Sequence, residues 1–226
     1  MPDAPEWVCV PAPGARFARN AAMSVRRPPV RLQRYAGNPV LRPHPANPWE
    51  SLVTTNPGAW YDEETGQVQI LYRAAGDDAE HRIHFGLAVS RNGYEVERVS
   101  DQPVFSPSMD GFDAGCVEDP RIVKIGDWYY VTYACRAFPP GQYWNPQRTY
   151  HAPSCPEAFP WQLRTNSTAT GLALTRDFRT WIRAGRMTNP GVDDRDVILF
   201  PEPISGRFHL LHRSEEHTSE LQSPNT

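Results

Sequence analysis

Two neighbouring carboxylates, Glu118 and Asp119, precede Pro120 and Arg121 where a short apolar lead-in meets a run of strand formers. A carboxyl group can act as a general acid near neutral pH if it is shielded from water or lies near another negative charge. Pro120 predicts an extended backbone for Asp119, which would fix the direction of its side chain. The structural alternative is that both carboxylates pair with Arg121 and cap a turn, and these four residues alone favour it.

Composition limits the classes of protein to consider. The chain has 226 residues, a net charge of −3 and 39% hydrophobic residues, enough for a globular core. Its basic residues are dispersed, so we expect no nucleic-acid partner. No apolar run is long enough for a membrane span and no signal-peptide pattern is present, so we expect no membrane partner and a cytoplasmic location. The four cysteines lack metal-binding spacing, which predicts reduced thiols and no metal site.

An internal repeat predicts the fold. Its copies are "TGQVQILYR" (65–73), "IGDWYYVTYACR" (125–136) and "SGRFHLLHR" (205–213), with a second phrase "GLAVSRNGYEVER" (86–98) repeated as "GLALTRDFRTWIR" (171–183). Short alternating runs between turn residues predict antiparallel strands and argue against long helices. Units of this size predict an all-β chain of propeller blades, beginning near Asn56, Asp119 and Asp196, with a sandwich as the alternative.

The two ends of the chain differ from its middle. Residues 1–22 are rich in Pro and Ala and lack a period, so we expect a disordered or mis-annotated extension before Met23. The string "RSEEHTSELQS" (213–223) matches the translation of a common sequencing-library adapter, so residues 213–226 are expected to be a non-native, disordered tail. Residues 23–212 are then a partial propeller, which we expect to expose strand edges, to aggregate and to show little activity.

Five phrases carry a resemblance to a known family: "NPGAW" (56–60), "ILYRAAG" (70–76), "GLAVSRNG" (86–93), "EDPR" (118–121) and "ILFPEPISGRFHLLHR" (198–213). In this order and spacing the chain resembles glycoside hydrolase family 130, which contains β-mannoside phosphorylases and related β-1,2-mannosidases. The resemblance implies a five-bladed β-propeller, of which about three blades are present in this chain.

The resemblance also implies a reaction and roles for single residues. The reaction is cleavage of a β-mannoside by inorganic phosphate with inversion, which gives α-mannose 1-phosphate and needs no cofactor. Asp119 matches the family's general acid, and Asn56 and Arg73 match residues that hold the sugar, with Arg121 assigned to the substrate beside them. Amide and guanidinium groups suit this role because they bind adjacent hydroxyls with paired hydrogen bonds. Outside the family, Asn56 would be a turn residue and Arg73 an ion-pair partner.

The nucleophile separates phosphorolysis from hydrolysis. Phosphate needs cations to hold it, whereas water needs a second carboxylate to activate it. Arg136, Arg195 and His212 resemble the family's phosphate-contacting region, and Arg176 is a further candidate. Glu202 is the candidate base of a hydrolase, although we expect a buried structural carboxylate there. The alternatives are therefore an inverting β-mannosidase on the same scaffold and a propeller that binds glycans without turnover.

Residues 138–168 interrupt the second unit with Pro, Tyr, Trp and Arg. A segment of this length is too long for a hairpin turn and predicts an insertion loop over one face, where loops are often functional. Tyr143, Trp144 and Trp161 are candidates to stack on an acceptor sugar, and packing of the loop on itself is the alternative. The expected partners are thus a β-mannoside oligosaccharide and phosphate, with homo-oligomerisation left open.

Overall fold

The computed structural model describes residues 33–148, 150–189 and 192–214. The strands are β1 Val53–Asp62, β2 Gln67–Ala75, β3 Ile83–Ser90, β4 Glu97–Arg98, β5 Cys116–Ile125, β6 Trp128–Arg136, β7 Ala169–Thr175, β8 Trp181–Arg186, β9 Asp194–Leu199 and β10 Leu210–Ser214. The one described α-helix, α1, covers only Trp161–Thr165. The all-β prediction is confirmed. The predicted N-terminal extension, residues 1–22, lies outside the described residues, as does the predicted tail beyond Ser214.

The strands form three antiparallel sheets that follow one another along the chain. Sheet 1 has the order β1-β2-β3-β4, sheet 2 has the order β5-β6-β7-β8, and sheet 3 pairs β9 with β10. The three copies of the first repeated phrase contain the second strand of each sheet, and the second phrase spans the third and fourth strands of sheets 1 and 2. The repeat therefore marks equivalent strands of the sheets, and the prediction of antiparallel strands in each unit is confirmed.

The sheets pack through their first strands. β1 lies against β5, and β9 lies against β5 and β6. The main core cluster joins sheets 1 and 2, with Leu71 and Phe85 from one sheet and Val117 and Val131 from the other, all at most 1% exposed. Gly58 is required at the contact of β1 with β5, because an added Cβ would lie 2.6 Å from the Pro120 carbonyl oxygen. This close approach brings the middle of β1 against the middle of β5.

A buried polar group ties sheet 1 to the segment before it. The fully buried Glu50 accepts hydrogen bonds from the Tyr72 hydroxyl at 2.9 Å and from Arg98 Nε at 3.0 Å. The Tyr72 ring fits because Gly86 faces it on β3, where an added Cβ would lie 2.2 Å from the ring. Since a buried charge is costly unless it is paired, these partners decide whether the strands can pack around Glu50.

Sheet 2 repeats this arrangement with a different acid. The Tyr133 hydroxyl donates a hydrogen bond to Asp113 Oδ2 at 2.8 Å, and Arg183 forms an ion pair with the same carboxylate. Gly171 of β7 leaves room for the Tyr133 ring, as Gly86 does for Tyr72. Burial, followed by the charge of Asp113, raises the pKa of Tyr133 well above its usual range. The recurrent tyrosine and arginine of the repeat are thus structural in both sheets.

The connection between β6 and β7, residues 137–168, is the predicted insertion. It contains α1 and a 3-10 turn at Pro146–Arg148. Asn166 fastens its two ends together, since its side chain accepts from the Phe138 N–H at 3.0 Å and donates to the Phe138 carbonyl at 3.0 Å. Among the helices of the described part, we find none long and apolar enough to cross a bilayer.

Candidate active site

The first strand of each sheet carries a β-bulge in which two residues face one on the neighbouring strand. Asn56 and Pro57 face Tyr72, Asp119 and Pro120 face Tyr133, and Asp196 and Val197 face His212. The first residue of each bulge has a positive φ: 41° at Asn56, 55° at Asp119 and 59° at Asp196. Asn and Asp tolerate this left-handed conformation better than other side chains. The three positions predicted as the repeat starts are therefore structurally equivalent.

The backbone at Asp119 differs from the sequence prediction. An extended conformation was expected from Pro120, but φ is 55° because Asp119 opens the bulge. The side chains of Cys116 and Val117, which precede the acidic pair, are buried in the core. Asp119 instead meets polar groups from sheet 1.

Asn56, Arg73 and Asp119 form one hydrogen-bonded cluster. Asn56 Nδ2 donates to Asp119 Oδ1 at 2.9 Å, and Arg73 Nη1 donates to the same oxygen at 3.0 Å. The Thr55 hydroxyl donates to Asn56 Oδ1 at 2.9 Å, which fixes the orientation of the amide. Residues separated by 63 positions in the chain are thus in direct contact. The structure brings together the predicted acid and two of the predicted sugar-binding residues.

Glu118 lies beside this cluster and binds its cations. Arg73 Nη1 contacts Glu118 Oε2 at 2.8 Å, and Arg136 Nε lies 3.7 Å from Glu118 Oε1. Burial alone lowers the pKa of Arg73, but the adjacent Glu118 and Asp119 carboxylates outweigh it and raise that pKa. Glu118 is therefore an ion-pair partner of two arginines, and the structural alternative in which both carboxylates pair with Arg121 is wrong.

Arg121 binds the main chain of the bulge. Its Nη1 donates to the Asp119 carbonyl oxygen at 2.9 Å, and its Nη2 donates to Asp196 Oδ1 of sheet 3 at 3.0 Å. Arg213, the first residue of the predicted tail, contacts Asp196 Oδ2 at 3.0 Å. The sequence pointed to Asp196 only as the start of the third repeat and assigned it no function. Its equivalence to Asn56 and Asp119 was the signal that could have identified it.

A cleft of about 600 Å³ runs along these bulges. Its lining is Asn56, Pro57, Gly58, Ala59, Pro120, Arg121, Ile122, Val123 and Ile198, which come from the first strands of all three sheets. A second cleft of about 700 Å³ lies beside the 137–168 connection and is lined mostly by apolar groups. That second cleft contains none of the predicted site residues. Of the predicted site residues, Asn56 and Arg121 line the cleft between the first strands.

The three predicted phosphate ligands lie on two sheets. Arg136 at the end of β6 donates to the Asn166 carbonyl at 2.5 Å and so joins the Glu118 cluster to the insertion. Arg195 precedes Asp196 on β9, and His212 faces the Asp196 bulge from β10, where its Nδ1 lies 2.8 Å from Asp194 Oδ2. Arg136 is thus close to the acid through Glu118, whereas Arg195 and His212 belong to sheet 3.

Two further candidates lie elsewhere. Arg176 stacks on Trp128 at 4.3 Å, at the opposite end of sheet 2 from Asp119, so the structure does not bring it to the predicted acid. Glu202 is exposed, so the expected burial of this carboxylate is wrong.

Burial raises the pKa of the Cys116 and Cys135 thiols, consistent with a packing role. In the described part of the chain, no set of three or more His, Cys, Asp or Glu side chains is placed to hold a metal ion.

The aromatic residues of the insertion are partly free to meet a ligand. Tyr143 is 83% exposed, and Trp144 and Trp161 are about half exposed. The Trp144 ring packs edge-on against His81 at 4.8 Å and against Tyr143 at 4.9 Å. The connection that bears them leaves β6 at Arg136, so it lies at the end of sheet 2 that carries Asp119. Both predicted roles, stacking on a sugar and packing within the loop, are compatible with these contacts.

Comparison with known proteins identifies the family. The family model for glycoside hydrolase family 130, described as beta-1,4-mannooligosaccharide phosphorylase, matches residues 30–143. The chain belongs to glycoside hydrolase family 130. The matched residues include Asn56, Arg73, Asp119 and Arg136. The cluster around the predicted acid therefore lies within the part of the chain that the family model matches.

Two curated relatives of this family 130 chain come from Thermoanaerobacter sp. (strain X514). A 1,2-beta-oligomannan phosphorylase is 30% identical over 190 residues, covering 81% of this chain and 54% of the relative. A beta-1,2-mannobiose phosphorylase is 27% identical over 194 residues, with the same coverage. The chain spans about half the length of these relatives.

Solved structures support the same fold. The beta-1,2-mannobiose phosphorylase from Listeria innocua, in complex with beta-1,2-mannobiose, matches with a TM-score of 0.55 at 19% identity, covering 79% of this chain and 57% of that one. At this identity the likeness concerns the fold, which is of the β-propeller type in family 130.

Proposed function

We propose that this family 130 chain is part of a β-mannoside phosphorylase. Phosphate attacks the anomeric carbon of a β-mannoside from the face opposite the leaving group, which gives α-mannose 1-phosphate and a shortened sugar. Inorganic phosphate is the co-substrate and no cofactor takes part. The observation that carries the proposal is the contact of Asn56 and Arg73 with Asp119 Oδ1 beside a polar cleft.

Asp119 supplies the proton for the leaving oxygen. Among the described residues, the hydrogen bonds to its carboxyl fall on Oδ1, so we assign the transferred proton to Oδ2. A proton on Oδ2 can pass to the glycosidic oxygen directly or through a sugar hydroxyl, and the bond between that oxygen and the anomeric carbon breaks. Proton transfer of this kind contributes about 10² to 10⁴ in rate. Asn56 and Arg73 then have their remaining N–H groups for the mannose hydroxyls.

Phosphate is held by the cations around the bulges. Arg136, Arg195 and His212 offer three donors on two sheets, and a guanidinium can bind two phosphate oxygens at once. The names of the two Thermoanaerobacter relatives favour phosphorolysis and a β-1,2 linkage in the substrate. We further propose five blades for the complete fold, by analogy with the family. A cytoplasmic location and a homo-oligomer remain predictions from the sequence.

The test is to incubate the protein with β-1,2-mannobiose, with and without inorganic phosphate. Because the chain spans 54% of its relatives, both this chain and the longest product of the same gene are assayed. We expect α-mannose 1-phosphate and mannose only when phosphate is present, with the anomer assigned by NMR. Equal release of mannose without phosphate would contradict phosphorolysis.

Hydrolysis is the second candidate because family 130 also includes hydrolases: a solved structure matching 80% of this chain is titled for glycoside hydrolases that target β-1,2 mannosidic linkages. Hydrolysis requires a carboxylate that activates water. Glu202 is exposed and lies outside the residues that line the cleft. A Glu202→Gln variant therefore retains full turnover under the phosphorylase proposal, whereas a hydrolase that used this base would lose it.

A further inference from the structure

Asp119 is held by sheet 1 through its side chain and is linked to sheet 3 through Arg121, which binds its main chain. The bulge removes Asp119 from the regular ladder between β5 and β6, and Pro120 has no N–H to offer. The Asp119 carbonyl oxygen instead accepts a hydrogen bond from Arg121 Nη1 at 2.9 Å. The backbone that aims the acid therefore depends on the position of one long side chain.

Arg121 is itself fixed by Asp196. A guanidinium presents its donors in a rigid fork, so Nη1 and Nη2 of Arg121 can bind the Asp119 carbonyl and Asp196 Oδ1 at the same time. Both side chains of this ion pair are about one third exposed, so solvent alone would leave Arg121 many rotamers. The charge of Asp196 selects the rotamer that reaches the Asp119 carbonyl.

Sheet 1 offers no equivalent of this contact. The position of Arg121 in sheet 2 is taken by Gly58 in sheet 1, because both residues follow the bulge directly. Gly58 lies so close to the Pro120 carbonyl that it supports the same bulge from the other side. The Asp119 bulge thus lies between two neighbouring sheets, and its main chain is linked to sheet 3 through the ion pair of Arg121 with Asp196.

We infer that Asp196 is a positioning residue for the general acid, which acts through Arg121 on the main chain of Asp119. The inference rests on the proposed function for the role of Asp119, but the contact itself can be tested without turnover. In this arrangement Arg121 is a link between sheets, in contrast to the substrate contact expected from the sequence.

The test compares Asp196→Asn, Arg121→Lys and the double variant by hydrogen exchange of residues 116–122. Asn keeps the preference for a positive φ but removes the charge, and Lys keeps the charge but loses the fork. We expect exchange in this segment to rise about tenfold in each single variant, with no further rise in the double variant, because one linkage is broken in all three. Asp127→Asn, in the exposed turn between β5 and β6, is the matched control, and Arg213→Ala shows whether the tail residue contributes.

The second readout is turnover of β-1,2-mannobiose with phosphate by the longest product of the same gene. We expect Asp196→Asn to lower kcat about tenfold to a hundredfold with KM nearly unchanged, because the acid is misplaced while Asn56 and Arg73 still hold the sugar. Unchanged exchange in Asp196→Asn, additive effects in the double variant, or equal loosening by Arg213→Ala would overturn the inference. A raised KM at constant kcat would make Asp196 a substrate ligand instead. If the unmodified protein shows no phosphorolysis, the proposed function fails. The exchange data alone then decide whether Asp196 fixes the main chain of Asp119 through Arg121.

Discussion

Sheets 1 and 2 share one frame and differ in the groups that face the cleft. Each has a tyrosine on its second strand, a glycine opposite that ring, and an arginine on its fourth strand that pairs with a buried acid. At the bulge, however, sheet 1 presents the amide of Asn56 and sheet 2 presents the carboxyl of Asp119. The buried triads of tyrosine, arginine and acid therefore stabilise both sheets in the same way. The residue that opens the bulge differs between the sheets, and this is the position that can carry a catalytic group.

The lengths of the connections differ in the same direction. In sheet 1 the second and third strands are joined by residues 76–82, and in sheet 2 by residues 137–168. Both connections leave from the end of the sheet that carries the bulges. The sheet that carries the Asp119 carboxyl therefore also carries the long aromatic segment.

The largest expected effect is on turnover at the two bulges. Asp119→Asn removes the proton donor and should lower kcat about 10² to 10⁴-fold, while the thermal unfolding midpoint stays near that of the unmodified protein. Asn56→Asp should also reduce turnover, because a carboxylate cannot donate to Asp119 Oδ1. Steady-state rates with β-1,2-mannobiose and phosphate measure both variants. Retained turnover in Asp119→Asn would remove it as the acid, and Asp127→Asn is the control for loss of a charge.

The next largest effect is expected on stability, at the buried triads that both sheets contain. Arg98→Met and Arg183→Met leave Glu50 and Asp113 buried without their cation, so each should lower the free energy of unfolding by about 3 to 5 kcal/mol. Urea unfolding of the two variants measures the loss, with Arg91→Met at an exposed turn as the control. Similar losses would show that the triads are equivalent in the two sheets. A loss in only one variant would mean that the two triads do not contribute equally to the free energy of unfolding.

The pH dependence of stability should come mainly from sheet 1. Burial, followed by the charge of Arg82, lowers the pKa of His84 to about 4. Because the folded pKa lies below the unfolded value of about 6.5, the unfolded chain binds more protons between these values. The contribution of His84 to the free energy of unfolding is therefore fully present above about pH 6.5 and is lost as the pH approaches 4. The loss is about 2 kcal/mol at pH 5.

His84→Gln should remove most of this loss, as measured by urea unfolding at pH 7 and pH 5. His81 contributes in the same direction, since burial lowers its pKa too, so a smaller slope remains. The matching position in sheet 2 is Ala169, which has no charge to gain. The exposed His151→Gln variant is the control, and an unchanged slope in His84→Gln would show that His84 is protonated without cost.

The smallest effect on stability is expected in the long connection. Tyr143→Ala should change the free energy of unfolding by less than about 0.5 kcal/mol, because this side chain is 83% exposed. If the ring stacks on an acceptor sugar, the same variant raises KM for mannobiose without changing kcat. Stability and KM are measured on the same preparation, and a KM that does not change would limit the aromatic segment to packing.

Much of the fold followed from local patterns. Alternating strands and turn residues repeat in the chain, so the antiparallel strands and the repeat starts near Asn56, Asp119 and Asp196 could be predicted. The roles of Asn56 and Arg73 beside Asp119 could be inferred from the family motifs. The backbone of Asp119 could not, because Pro120 favours an extended predecessor and the bulge opposes that preference.

The sequence by itself determined the all-β repeat, the family and the choice of Asp119, because each rests on residue types at fixed spacing along the chain. Tertiary structure alone decided which groups meet across sheets: Arg73 with Glu118, and Arg121 with Asp196. These partners lie 45 and 75 positions apart, and their contact depends on how the first strands pack. No local pattern encodes such packing, since it follows from the burial of whole sheet faces.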